Sequence, residues 1–366
     1  MKIVFASYVY SPGFSNPESW LNRINFYTGI LEALAAKQQV ISIEQIDYEG
    51  EYLNKGVHYH FKRFSKIGLI FPLQMHQFIK GLEPDIVFIH GLHFPLQLIQ
   101  FKLCLGSATR IIVQHHAEQP FTGVKKLLQQ LADRGVDAYL FASRELGMEW
   151  VEKGNLQKAD KIQGVMEVSS VFYPVDKDIA LAKTGINGAP IFLWVGRLNQ
   201  NKDPLNVVKA FLKFAEVNIS ARLYMIYQTE ELLPEVLALL DEQKAPCNLV
   251  TLVGKVSRPD LLYWFNSADF LISGSFYEAA GVAVCEAMSC GCIPVLTDIS
   301  SFRMMTNNGN CGLLYEPGSE AALLSALQKT QEMDIEEGKK KSIKYFQSNL
   351  SFQAIAQGIE RVVTSI

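Results

Sequence analysis

Two carboxylates, Glu278 and Glu286, bracket the stretch Ser275-Phe-Tyr-Glu278-Ala-Ala-Gly281-Val-Ala-Val-Cys-Glu286-Ala-Met-Ser-Cys-Gly291-Cys-Ile-Pro294-Val-Leu, with seven residues between them. Glu278 precedes a turn at Gly281, where the missing side chain permits close backbone approach. A helix is expected from about residue 282. Its free N–H groups and positive dipole end favour an anion such as phosphate. Glu278, just outside that helix, can accept hydrogen bonds from sugar hydroxyls. Eight residues of helix rise ~12 Å, so the two carboxylates cannot share one bond as an acid–base pair. They suit the two ends of one extended ligand with phosphates between. Taken alone, the same residues also read as a helix-dipole Glu and a surface Glu.

A second constellation is Gly196-Arg-Leu-Asn-Gln-Asn-Lys-Asp-Pro204. A strand is expected to end at Val195 and a helix to begin near Pro204, with Asp203 as its cap and Pro at the first position. Arg197 and Lys202 then lie in the loop at the strand's carboxyl end. Arg grips phosphate oxygens through two N–H groups and Lys acts as a point charge, so the pair can meet one anion; two solvated loop charges are the bland alternative. In the first half, His90 and His93 follow one expected strand, and His115 and His116 follow another. The spacing lacks the i, i+4 ligand pair and carboxylate of a catalytic zinc helix, and no metal is expected. The stretch 308–318 reads as turn, short strand and turn.

These residues need elements to hold them. Strands are expected at 2–7, 39–44, 85–90, 110–114 and 138–142, with helices such as 20–37 and 125–134 between. The pattern restarts with strands at 190–196, 222–227, 250–253, 270–273 and 293–296. Strands alternating with helices argue for parallel, doubly wound sheets. The polar, Gly- and Pro-containing stretch 183–190 reads as a linker, which places a boundary near 175–190. The expected organisation is a domain over 1–175, a second over 176–345 and a terminal helix over 346–366, whose apolar spacing lets it pack on either. Two α/β domains joined in this way are expected to face a central cleft that takes the ligand.

Bulk properties exclude several classes. At 366 residues the chain can bury two cores, and 49% apolar with 19% charged residues is globular composition. Thirty-four Lys and Arg against 37 Asp and Glu leave a net charge of −3, so no global basic field points to nucleic acid. Six cysteines without a C-x-x-C pair read as reduced thiols. The first apolar run is too short for a signal peptide, and no segment approaches the ~20 apolar residues of a membrane span. A cytoplasmic location is expected.

The chain resembles the retaining nucleotide-sugar glycosyltransferases of the GT-B fold, specifically family four (group 1). The resemblance rests on Val195-Gly-Arg-Leu198 with Lys202, Gly254, Ala268-Asp269, Ser275-x-x-Glu278, Glu286-Ala-Met288, Gly291 and Pro294-Val295. It is strong over about 190–330 and only in outline before that. It implies that Arg197 and Lys202 neutralise the donor diphosphate and that Glu278 binds donor-sugar hydroxyls. Backbone around Ala280, Gly281, Val282 and Ala283 would hold phosphates or sugar, Glu286 the ribose, and Gly254, Lys255 and Val256 the base. Gly196 and Gly13 would lie close to the donor. In the first domain the family places a His near the reacting sugar; His115 and His116 compete for this place, and His116 is favoured. The chain departs from the family at Ser11-Pro-Gly13-Phe, with one Gly where two are usual, and at Glu278-Ala-Ala-Gly281, where Ala279 replaces Gly. Both bear on the choice of sugar.

The implied reaction is sugar transfer from a nucleoside-diphosphate donor to an acceptor hydroxyl in glycan or glycoconjugate biosynthesis, with no cofactor beyond the donor. The alternatives are an inactive nucleotide-sugar-binding relative or a sugar-nucleotide epimerase. A basic-apolar segment at 58–79, with Lys62, Arg63 and Lys66 beside Phe61, Phe64, Ile67, Leu69, Ile70 and Phe71, gives a candidate peripheral membrane contact; a loop and a core helix are the plain reading.

Overall fold

The computed structural model describes residues 1–64, 70–106, 108–244, 246 and 248–366. The chain forms two units, Met1–Ser169 with Phe352–Ile366, and Ser170–Ser351. The divisions thus fall at 169/170 and 351/352 rather than at 175 and 345. Local bonding explains the shift: Ser169 N–H donates to Phe26 O at 2.8 Å, inside the first unit. Val175 N–H donates to Asn266 Oδ1 at 2.6 Å, inside the second.

In the first unit the strands are β1 (Lys2–Ala6), β2 (Gln39–Glu44), β3 (Gly50–Asn54), β4 (Val57–Phe61), β5 (Ile86–His90), β6 (Arg110–Gln114), β7 (Ala138–Phe141) and β8 (Ile162–Gly164). They form one sheet in the order β3-β4-β2-β1-β5-β6-β7-β8. Every pairing is parallel except β3 with β4. The central strands are buried along nearly their whole length, as strands covered on both faces must be. β3 and β4 are absent from the sequence expectation because β3 is a mostly exposed edge strand and β4 alternates the buried Val57, Tyr59 and Phe61 with His58 and His60 instead of forming a continuous apolar run. Lys55 and Gly56, both at positive φ, make its two-residue turn. β8, three residues long, carries too little pattern to read.

The helix expected over 20–37 is two helices, Pro17–Arg23 and Asn25–Ala35, because Ile24 leaves helical geometry at φ −105°, ψ 22°. Asn16 caps the first, its Oδ1 accepting from Ser19 N–H at 2.8 Å. The helix Phe352–Ser365 buries Ile355, Ala356, Ile359, Val362 and Val363 and packs on Asn25–Ala35. Gly29 makes the approach possible: a Cβ there would stand 2.5 Å from the Phe352 ring.

In the second unit β9 (Ile191–Gly196), β10 (Arg222–Tyr227), β11 (Val250–Gly254), β12 (Phe270–Ser273), β13 (Ile293–Thr297) and β14 (Leu313–Tyr315) form an all-parallel sheet in the order β11-β10-β9-β12-β13-β14. Its order reverses between β9 and β12, so the loops after these strands diverge and leave a crevice. Phe192, Phe211, Phe214 and Phe270 form an aromatic core beneath it.

No helix among the described residues is long and apolar enough to cross a membrane. Within 58–79, Phe61 is a buried β4 residue and Lys62 lies over the Phe78 ring, while Lys66, Ile67 and Leu69 lie outside the described residues. The five described cysteines are thiols, and Cys247 lies outside the described residues.

Candidate functional site

A cavity of about 350 Å³ opens at the carboxyl ends of β9, β10 and β12 in the second unit. Gly196, Arg197, Lys202, Val256, Glu278, Gly281, Val282, Ala283 and Glu286 all line it. Gly254, which ends β11 at φ 79°, the exposed Lys255 and the buried Ala280 lie beside these elements and do not line it.

Arg197 and Lys202 are held by the packing of the loop between them. Leu198 is fully buried, and Asn199 Oδ1 accepts from Lys202 N–H at 3.2 Å to close a single 3₁₀ turn. Asp203 occupies the cap position of helix Pro204–Ala215, in the left-handed conformation, with Pro204 first in the helix. Asn201 clamps the neighbouring loop: its Oδ1 accepts from Tyr277 N–H at 3.1 Å and its Nδ2 donates to Tyr277 O at 3.0 Å. Gly274 lets the loops touch, since a Cβ there would lie 3.0 Å from Lys202 O.

These clamps bring Lys202 Nζ into an ion pair with Glu278 Oε1. Ser275 Oγ donates to the same oxygen at 2.9 Å. A sugar or phosphate group entering the cavity therefore meets a charge pair already oriented. Arg197 is exposed, and no carboxylate among the described residues pairs with it.

The helix Val282–Cys290 starts at Gly281, in the left-handed conformation and with no side-chain cap. Its first N–H groups have no intrahelical acceptor, and Val282 and Ala283 line the cavity. The turn requires Gly: φ is +51° and a Cβ would lie 3.0 Å from Phe302 Cε1.

Glu286 is not a surface residue. It is buried, and Arg258 Nη2 stands 3.0 Å from its Oε1. Burial pushes its carboxyl up to about 7, with Arg258 opposing. Glu286 Oε1 and Arg258 Nη2 thus face each other as an ion pair, and Arg258 Nε has no hydrogen-bond partner among the described residues. Sequence reasoning missed Arg258. The local signal was Ser257-Arg-Pro-Asp260, a helix start at the end of β11, where Ser257 Oγ accepts from Asp260 N–H at 3.3 Å.

The first unit has its own cavity, of about 310 Å³, lined by Trp20, Tyr27, Glu44, His90, His116 and Glu167 among others. Tyr27 Oη lies 2.7 Å from His90 Nε2, and His90 Nδ1 lies 3.0 Å from His116 Nε2. His116 Nδ1 forms an ion pair with Glu167 Oε2. Burial drives the His90 pKa well down, helped by His116. Burial also lowers that of His116, but the Glu167 charge and hydrogen bond outweigh it and leave it raised. His115 is turned inward: its Nε2 lies 2.9 Å from Glu118 O, and its ring stacks on Phe141. Of the two competing histidines, His116 therefore faces a cavity and His115 does not. His93 stands apart, its ring tilted on Phe121. Glu167 was not legible as a partner, being 51 residues along the chain from His116. Gly13, at φ 89°, donates its N–H to Asp47 Oδ2 at 2.6 Å in the first unit.

Residues 176–347, nearly the whole second unit, match the profile of the glycosyl transferases group 1 family. This unit is a group 1 glycosyl transferase domain. Over 156 residues the chain is 29% identical to a D-inositol 3-phosphate glycosyltransferase of Pseudarthrobacter chlorophenolicus, a stretch covering 42% of this chain and 37% of that protein. The match thus spans little more than a third of the curated relative. Among solved structures, Anabaena Alr3699/HepE in complex with UDP superposes with a TM-score of 0.75 at 15% identity, covering 100% of both chains. Sucrose-phosphate synthase of Thermosynechococcus elongatus gives 0.69 at 15% identity, covering 100% of this chain and 98% of that one. At these identities the likeness is one of fold, and the fold is GT-B. In the group 1 domain the cavity lies at the topological switch point, where doubly wound sheets bind ligands.

Proposed function

We propose that the protein transfers a sugar from a nucleoside-diphosphate donor to an acceptor hydroxyl with retention of configuration, in the synthesis of a glycan or glycoconjugate. The observation that carries this reading is the convergence of Arg197, Lys202, Glu278, Glu286 and an uncapped helix start on one cavity. A nucleoside diphosphate sugar needs cations for its phosphates, a carboxylate for its sugar and another for its ribose, and groups of each kind line the cavity. Arg197, Lys202 and the Val282 and Ala283 N–H groups would take the diphosphate; Glu278 the sugar hydroxyls; Glu286, with Arg258 beside it, the ribose. The strand end at Gly254, Lys255 and Val256 would meet the base.

In the proposed step the bond between the anomeric carbon and the phosphate oxygen breaks, and the acceptor oxygen bonds to that carbon on the same face. The acceptor proton passes to the departing phosphate. Charge growing on the leaving group is met by Arg197, Lys202 and the helix dipole, the kind of fixed electrostatic support that lowers such barriers most. These charges do the work a divalent cation would do, so activity should persist in a chelator. His116, its ring nitrogens held by His90 and Glu167, is proposed to act beside the reacting sugar.

The test is transfer and donor hydrolysis across a panel of UDP-, GDP- and ADP-sugars, with the product anomer read by NMR. Arg197→Ala and Lys202→Ala should each lower kcat about 10²–10³-fold. Wild-type rates in both variants would sink the assignment, and an inverted product would sink the claim of retention.

A further inference from the structure

The cavity of the first unit differs in charge from that of the second. Both open at the carboxyl ends of strands in a doubly wound sheet. Arg197, Lys202 and Arg258 line the second-unit cavity. The first-unit cavity, of about 310 Å³, has the carboxylates Glu44 and Glu167 in its lining and, among the described residues, no Lys or Arg. Its walls are largely apolar: Ile24, Phe26 and Val168 stand beside the rings of Trp20 and Tyr27. The break at Ile24 makes this possible. It ends helix Pro17–Arg23 and starts Asn25–Ala35, so that Trp20 from one and Phe26 and Tyr27 from the other border the same space.

Trp20 and Glu44 hold each other in place. The indole Nε1–H donates to Glu44 Oε2 at 2.8 Å, and the ring meets Phe14 edge-on with centroids 5.1 Å apart. Ser42 Oγ donates to Glu44 Oε1 at 2.7 Å. An ionised carboxyl has about four acceptor positions, so two such bonds leave room for more. The two histidines in the lining do not restore a free positive charge. Burial keeps His90 neutral, and His116 faces Glu167 in an ion pair.

We propose that this cavity binds an uncharged hydroxyl compound with one apolar face, such as a glycoside carrying an aryl group, and rejects phosphorylated ligands. The apolar face would lie on the Trp20 ring, and a hydroxyl would donate to Glu44. A phosphate dianion in the same space would meet two carboxylates in a partly desolvated setting, with no Lys or Arg of the lining to offset them. Glu44 is thus the residue that sets the choice. The inference rests on the sugar-transfer reading only in the ligand's role: if the protein transfers sugar, this compound is the acceptor.

The experiment is a titration of the full chain, followed through its indole N–H resonances, with the phenyl glycosides of glucose, galactose and mannose and with their 6-phosphates. Trp20→Phe assigns the Trp20 resonance. At least one neutral glycoside should shift it at millimolar concentration, and the 6-phosphate of that glycoside should bind ~100-fold more weakly. Glu44→Gln keeps the shape and removes the charge. It should weaken the neutral glycoside ~10-fold and narrow the gap to the phosphate, with thermal unfolding as the check that it folds. The comparison of each glycoside with its phosphate needs no variant. A phosphate that binds as tightly as its neutral parent overturns the proposal. So does a Trp20 resonance that none of these compounds shifts, or a folded Glu44→Gln variant with both affinities unchanged. Binding here needs no donor, so neutral binding without sugar transfer supports this inference and sinks only the proposed reaction. Transfer to a phosphorylated acceptor that shifts Trp20 sinks only this inference.

Discussion

Replacing Glu286 by Gln separates what this carboxyl does for the fold from what we propose it does for the ligand. Burial raises its pKa from the ordinary 4.5 to about 7, and Arg258 only partly opposes this. Between these two values the native state keeps a proton that the unfolded chain has already released. Stability therefore falls as pH rises through that window, and above it the native state carries a buried carboxylate. The interval between 4.5 and about 7, at 1.36 kcal/mol per pH unit, corresponds to about 3 kcal/mol. Gln keeps the shape and loses the charge. Arg258, a third exposed at its side chain, then turns to solvent, which trims the gain to about 2–3 kcal/mol. Glu286→Gln should thus be more stable than wild type at pH 8 and no more stable below pH 4.5. Its affinity for a nucleoside diphosphate should drop about 10–100-fold, the worth of a charged hydrogen bond to a hydroxyl. Urea unfolding across this pH range, paired with calorimetric titration of UDP, GDP and ADP, reads both effects. Parallel stability–pH curves for the two proteins would refute the buried-carboxylate argument. Unchanged nucleotide affinity would refute the ribose role.

Three further outcomes test other parts of the structure. Glu167→Gln removes the charge that raises the His116 pKa. In wild type that contribution to stability is present at low pH and is lost as pH rises through the folded value; in the variant the loss should begin at lower pH, and His116 should titrate lower by NMR. Gly281→Ala strains a +51° backbone and presses on Phe302, so it should cost about 1–3 kcal/mol and weaken nucleotide binding as the helix start shifts. Gly29→Ala drives a methyl into the Phe352 ring; a loss of about 1–3 kcal/mol is expected, with the C-terminal helix losing hydrogen-exchange protection before the sheet does.

The second unit was largely legible because its chemistry is local. Gly196 to Pro204 and Glu278 to Pro294 are short segments in which strand end, glycine turn and helix start follow in order, and each appears where its residues say. The β3–β4 hairpin was not legible because β3 is an exposed edge strand and β4 alternates its buried residues with histidines, so neither carries a continuous apolar run. The break at Ile24 leaves no Pro or Gly as a sign. The outward face of Gly123–Asp133 was hidden for a different reason. Periodicity finds an apolar stripe but not the direction in which it points, and Val124, Leu127 and Leu131 of this helix are exposed while Gln129 and Asp133 are buried.

By itself, then, the sequence determined the alternation of strands and helices, the doubly wound class and the two loops that line the cavity, since these depend on residues near one another in the chain. Tertiary structure alone decided three things about the charged groups. It buried Glu286 against Arg258, 28 residues apart in the chain, and so moved its pKa by desolvation. It turned His116 toward a cavity and His115 against the Phe141 ring. It joined Lys202 to Glu278 through the clamp at Asn201 and the bare backbone of Gly274. Charge, burial and proton affinity are set by what surrounds a side chain on all sides, and the order of residues specifies only what stands next to it along the chain.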